Sequence, residues 1–192
     1  MKFPLVLLFV FASFALFSQN SADVAYSSNS PFNWEMFKGK INPNHLDEMG
    51  KNTGAVTVSS LTYETEVRGK NATVKVSALF HPFESWTRYP KLDNPDEALN
   101  HEKRHFDICE IYARKIRKAL SSSRYYQSNF NEELSDLFKK TVKEYREEQM
   151  RYDKDTKHSI DQEQQKKWDA KIDSRLTELS KYSNSKVAVT LS

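Results

Sequence analysis

Residues 101–105 read His-Glu-Lys-Arg-His. On a helix, imidazoles four positions apart stand one turn above the other, a spacing at which both reach a single zinc ion while the intervening carboxylate faces a zinc-activated water. That set is suited to hydrolysis, with the metal as Lewis acid and the carboxylate as general base. His101 and His105 are therefore candidate ligands and Glu102 the candidate base. A third ligand is needed, and three other imidazoles exist: His45, His81 and His158. His158 is the best placed, at a turn where two antiparallel helix connections return the chain to the first helix, among polar neighbours suited to a site wall. Asp153 or Asp155 could replace it as an oxygen ligand. His45, in a Pro/Asn loop, and His81, before Pro82, read as surface or structural residues. Cys109, one turn past His105, reads as a buried apolar filler, since a fourth protein ligand would close the site.

The helix that must carry these groups has a full set of start signals: Asn94 as cap, Pro95 at the first position, Asp96 and Glu97 in the first turn, and Glu97 completing a capping box. It is expected to run to about Leu120. At about 100° per residue both histidines fall mid-stripe on its apolar face, while Lys103, Asp107, Glu110, Arg114 and Lys118 fall on the opposite, solvated face and Ile111 fits neither. Burying two imidazoles and a carboxylate in an apolar stripe costs several kcal/mol unless something pairs them. A metal would satisfy all three; hydrogen-bonded core histidines beside a Glu102–cation pair are the alternative.

All four glycines precede residue 70 and the last of the six prolines is Pro95, so the second half is expected to be mainly helical. A second helix is expected from Phe130, after Asn129 as cap, to Arg151, followed by a polar turn over 153–158. A third, opened by a Ser159/Gln162 capping box, carries Gln164, Trp168, Ile172, Leu176 and Leu179 to about Ser180. Upstream, Ala55–Val67 and Ala72–Phe80 read as antiparallel strands joined by a turn at Arg68-Gly69-Lys70-Asn71, and Phe32–Phe37 as an anchored extended piece.

Lys2, an apolar run from Phe3 to Phe17, and then Ser18, Gln19 and Asn20 make a signal-peptide pattern, too short to span a bilayer. Residues 1–19 are expected to be removed and 20–192 to fold as one domain, exported to the periplasm or beyond, with no membrane anchor after cleavage. A single cysteine excludes an intramolecular disulfide. The net charge of +3, spread without a basic stripe, disfavours nucleic acid and acidic membrane surfaces as partners.

The chain resembles a family of exported bacterial proteins, the domain of unknown function numbered nine hundred and twenty-two, regarded as predicted zinc-dependent peptidases. The resemblance is carried by Phe32–Gly39, Ala55–Tyr63, Ser85-Trp86, the block from His101 to Ile108 with Tyr112-Ala113-Arg114, and Tyr152-Asp153 through Thr156, His158, Gln162 and Trp168, and is read as covering nearly the whole mature chain. It implies an α+β zincin-like domain, with a small N-terminal antiparallel sheet beside a helical half that carries the metal. By the same resemblance, His101, His105 and His158 are zinc ligands, Glu102 is the catalytic carboxylate, and a peptide or protein is the substrate. Tyr152 is a candidate oxyanion donor. Ser159 stands where such relatives are expected to carry glycine, and Lys103-Arg104 where Gln-Gly is more usual. The rival expectation is a non-catalytic exported binding or structural module held together by a metal or an ion pair.

Overall fold

The computed structural model describes residues 23–41 and 53–192. The signal-peptide reading and His45 lie outside the described residues. Strands β1 (Val24–Ala25), β2 (Ala55–Val56), β3 (Ser59–Arg68), β4 (Asn71–Phe80), β5 (Trp86–Thr87) and β6 (Lys186–Thr190) accompany three helices, α1 (Pro95–Ser122), α2 (Phe130–Thr156) and α3 (Gln162–Glu178). The architecture is α+β with antiparallel sheets. Among the described residues, no helix is long and apolar enough to cross a membrane.

β4 is the centre of the main sheet. β3 pairs along its whole length in register Ser59↔Phe80 to Arg68↔Asn71, while β1 and β6 share its other edge. The hairpin closes through a two-residue turn, where Gly69 takes φ +58°, a conformation that L side chains resist. The expected single strand Ala55–Val67 is broken at Thr57-Val58. Its first two residues leave the sheet to pair with β5, and the Val58 N–H is taken by Ser85 Oγ at 2.9 Å. β6 lies within the half expected to be mainly helical. Its alternation, with Val187, Val189 and Leu191 buried between exposed neighbours, is the period-2 pattern of a half-buried strand.

Phe32–Phe37 contains a 3-10 turn over Trp34–Met36 rather than an extended piece, with Asn33 Oδ1 accepting the Glu35 N–H at its start. Phe32 then packs edge-on against Phe37 and Phe80, which binds this segment to the sheet. Val74, Val76, Ala78 and Phe80 of β4 form one core with Phe106, Ile108, Cys109, Ile111, Tyr112, Ile116 and Leu120 of α1. α1 is thereby enclosed by the sheet and the other two helices. This corrects the expectation of a solvated face: Lys118 is exposed and Lys103 partly so, but Asp107, Glu110 and Arg114 are buried, and Ile111 is fully buried rather than a misfit. The periodicity separates apolar from charged residues, but it does not reveal that the charged side is buried as ion pairs.

The helix ends also differ from expectation. The side chains of Asn94 and Asn129 make no cap hydrogen bonds, and α2 continues through Asp153 to Thr156. Lys157, His158 and Ser159 all take positive φ, at 50°, 53° and 70°, and the N-cap of α3 is Asp161, which accepts from Gln164 N at 3.1 Å, not Ser159. Three consecutive left-handed residues turn the chain tightly enough to bring both the end of α2 and the start of α3 onto the first turns of α1.

Candidate metal centre

His101 and His105 stand on the side of α1 covered by α2 and α3. Their rings meet edge to face with centroids 4.8 Å apart, and their Nε2 atoms are 3.2 Å apart. Behind each ring is a glutamine: His101 Nδ1 lies 3.1 Å from Gln165 Oε1, and His105 Nδ1 lies 2.6 Å from Gln149 Oε1. The glutamine orientations are fixed from their other ends. Gln165 Nε2 donates to Asp169 Oδ1 and to the Tyr152 hydroxyl, both at 2.8 Å, and Gln149 Nε2 donates to the His105 carbonyl at 2.9 Å. Carboxylates and carbonyls only accept, so the amide oxygens face the rings. Each Nδ1 then carries the hydrogen, and in the neutral rings both Nε2 atoms present lone pairs to the space between them.

Asp153, the last-turn residue of α2, reaches into that space. Its Oδ1 is 2.9 Å from His105 Nε2, 3.2 Å from His101 Nε2 and 3.6 Å from His158 Nδ1. The distances are short, yet no ring nitrogen is aligned for a hydrogen bond, and this buried oxygen has no hydrogen-bond partner. Glu102, only 6% exposed, has its Oε2 in the same condition. The ligand atoms of His101, Asp153 and His158 lie within 4.8 Å of one another. His158 is 71% exposed along its side chain, which puts it at the rim.

When both rings are neutral with their hydrogens on Nδ1, the two Nε2 lone pairs and the carboxylate face one another and repel, so that state calls for a positive centre. A proton is one solution. Burial pulls His105 down, but the Asp153 carboxylate outweighs it, with Glu102 adding, and His105 is raised to about 9. Burial likewise pushes the Asp153 carboxyl up, and His105 with His101 overrides it, holding the group far below the usual carboxylate range. Contact with Asp153 raises His158 against its own partial burial. A divalent cation is the other solution. A tetrahedron built on zinc–donor bonds of about 2.0–2.1 Å has edges of about 3.3 Å, and the three contacts to Asp153 Oδ1, at 2.9–3.6 Å, bracket that value. The group whose donor atoms lie mutually close enough to hold a divalent cation such as zinc is His101, Asp153 and His158, with His105 beside it.

The structure brings His101, His105, Asp153 and His158 together, with Glu102 near enough for its charge to act on His105 and His158. Tyr152 is a correction: it is fully buried, its hydroxyl donates to the His101 carbonyl at 3.2 Å and accepts from Gln165, and its ring stacks on His101 with centroids 4.6 Å apart. A hydroxyl spent in this way is not an oxyanion donor. Asp155 is turned away, accepting from Trp168 Nε1 at 3.1 Å. His81 has both nitrogens engaged, Nδ1 with Asp23 at 2.9 Å and Nε2 with Ser60 at 2.8 Å. Cys109 is buried against the sheet, where desolvation pushes its thiol up to about 12.

Gln149 and Gln165 are the site residues that sequence reasoning passed over. Both carried a signal. Gln149, four after Tyr145 and three before Tyr152, lies half-buried on the packed face of α2, and Gln165, three before Trp168 and seven before Ile172, is the buried member of the pair Gln164-Gln165. A polar residue on the buried side of a helix must find a partner there.

The model of a family described as a bacterial protein of unknown function (DUF922) matches residues 84–159. The match takes in His101, Glu102, His105, Asp153 and His158. It is narrower than the resemblance read from the sequence, leaving out Phe32–Gly39, Ala55–Tyr63, Gln162 and Trp168. No curated protein and no solved structure matches the chain.

Proposed function

We propose that the chain is an exported, zincin-like peptidase in which His101, His105 and His158 hold zinc and Glu102 is the general base. The observation that carries the reading is the approach of the two Nε2 atoms to 3.2 Å while both Nδ1 atoms face glutamine oxygens. Two imidazole lone pairs are held at that separation to share a cation. Bound there, zinc would lower the pKa of a water to about 7 and polarise a carbonyl oxygen. The remaining work falls to the chain itself. Glu102 Oε2, buried and without a partner, is free to take the proton of the attacking water and pass it to the leaving amine. Asp153, with Oδ1 at 3.2 and 2.9 Å from the two Nε2 atoms, would set a negative charge beside the cation. His158, exposed at the rim on its tight turn, is able to close onto the cation from the solvent side. Export is supported by the leader pattern, and the peptide bond as target by the resemblance.

A second reading is favoured by one observation, the presence of Asp153 as a fourth donor atom among the imidazoles. A shell closed by Asp153 as well as His158 would leave no place for substrate and would make the metal a brace between α1 and the end of α2. Glu102→Gln separates the two. It preserves shape but cannot take up the proton, so the peptidase reading expects retained zinc and melting temperature with loss of cleavage of a mixed peptide library at neutral pH. Unchanged cleavage by the variant would remove Glu102 from the mechanism. A wild-type protein that holds zinc and cleaves nothing would favour the brace.

A further inference from the structure

We infer that Gln149 and Gln165, the latter backed by Tyr152 and Asp169, are the positioning residues of this centre, each fixing one histidine with its Nε2 lone pair directed at the metal. The inference rests on the zinc reading above and adds how the ligands are oriented and what charge they carry. Three features distinguish these amides from incidental hydrogen-bond partners.

First, each is polarised from behind, so neither can turn over. Gln165 is held by the Asp169 carboxylate, Gln149 by the carbonyl of the histidine it serves. Second, the chain places neutral acceptors against the rings and keeps the negative charge one hydrogen bond further out. Asp169 is itself compensated by Arg104 Nε at 3.1 Å and Asn100 Nδ2 at 3.0 Å. A carboxylate directly on Nδ1–H would draw its proton, load the ring with negative charge and lessen the pull of the metal on its remaining ligand; an amide oxygen orients the ring without that loss. Third, His101 is clamped on two sides. Tyr152 stacks on its ring, accepts from the same glutamine and donates to the His101 carbonyl. Rotation of the His101 ring would therefore break its stack on Tyr152 and its hydrogen bond to Gln165 together. The residue expected to face substrate is instead the backstop of a ligand.

The test uses the full mature chain. Zinc affinity is measured by competition with a chromogenic chelator for the wild type, Gln149→Leu, Gln165→Leu and Gln149→Glu, together with melting temperatures. Removing an outer partner of a metal-binding histidine is expected to cost about 10–100-fold in affinity. Gln149→Glu discriminates, because it keeps the acceptor for His105 Nδ1–H and loses the donor to the His105 carbonyl. A positioning role predicts that Gln149→Glu, which still holds the His105 ring through Nδ1 but charges it, loses clearly less zinc affinity than Gln149→Leu; a role in merely bridging the helices predicts that both weaken alike. Nitrogen-15 NMR of the zinc-loaded protein gives a readout that does not depend on activity. The wild type should show two exchange-protected Nδ1–H protons, with the His105 signal lost in Gln149→Leu and the His101 signal lost in Gln165→Leu. Zinc binding with both signals intact in the Leu variants would overturn the inference and leave the zinc reading standing. A wild type that binds no zinc would overturn both.

Discussion

α1 carries two buried polar clusters. Toward its middle, Glu110 accepts from Arg114 Nε and Arg117 Nη1, both at 2.8 Å, and Arg117 goes on to the carbonyls of Val76 and Tyr182 while Arg114 reaches that of Leu176. None of these charged groups is left without a partner. Toward the start of the same helix His101 and Glu102 are buried and His105 nearly so, with Asp153 of α2 reaching in, yet Glu102 Oε2 and Asp153 Oδ1 have no hydrogen-bond partner. A polar network closed on itself stitches β4, α1 and the segment after α3 together. One that stays open is, on the function proposed above, the place for a cation that the chain does not itself supply.

The contrast is broken or sharpened first by attacking the closed cluster. Glu110→Gln leaves two buried guanidinium groups undercompensated and should cost about 3–5 kcal/mol of stability, read by urea denaturation, with zinc content per folded molecule unchanged. Loss of zinc with little loss of stability would reverse the roles assigned to the two clusters. In the open cluster, His158→Ala should lower zinc affinity about 100-fold or more, since it removes a direct ligand, and Asp153→Asn about 10-fold, since the amide keeps an oxygen in place. Chelator competition reads both, and the opposite order would move the third ligand to the carboxylate.

Glu148 supplies a smaller, pH-dependent test of the closed type. Burial pushes its carboxyl up, but Arg175, the Tyr112 hydroxyl and Lys171 outweigh that and bring it down to about 2. A depressed carboxylate stabilises fully above its unfolded value of 4.5, and the contribution fades as pH falls toward about 2. Glu148→Gln should therefore be less stable by about 1–3 kcal/mol at neutral pH, with the deficit shrinking below pH 4.5 in thermal melts and gone near pH 2. A deficit independent of pH would mean that packing, not charge, holds that site.

How legible all this was in the sequence follows from the same contrast. The HExxH spacing, Pro95, the hairpin turn and the relation of His158 to α1 are local or periodic signals, and they placed α1, β3, β4 and the metal candidates. The burial of Glu110, Arg114 and Arg117 was not legible, because charged residues opposite an apolar stripe look the same whether water or a partner satisfies them. The convergence on Asp153 depended on α2 running four residues past Tyr152 and then turning through Lys157, His158 and Ser159, and three positive φ values without a glycine leave no trace in propensities. β6 was lost to the absence of glycine and proline, although Val187, Val189 and Leu191 alternate. Ser159 did leave a clue, since glycine was expected there and φ is +70°. Ser159→Gly should accordingly stabilise the protein by about 0.5–1 kcal/mol, a rise of a few degrees in melting temperature with zinc affinity maintained. A fall would mean that the serine contributes more than its backbone strain costs.

The central claim is that the open cluster exists to hold zinc, and metal analysis of the purified mature chain tests it most directly. Prepared without chelators, the wild type should carry about one zinc per chain, as expected for a single three-histidine site, and His101→Ala or His105→Ala should carry none while remaining folded. A wild-type protein without metal, or one whose zinc survives loss of either histidine, would contradict the account.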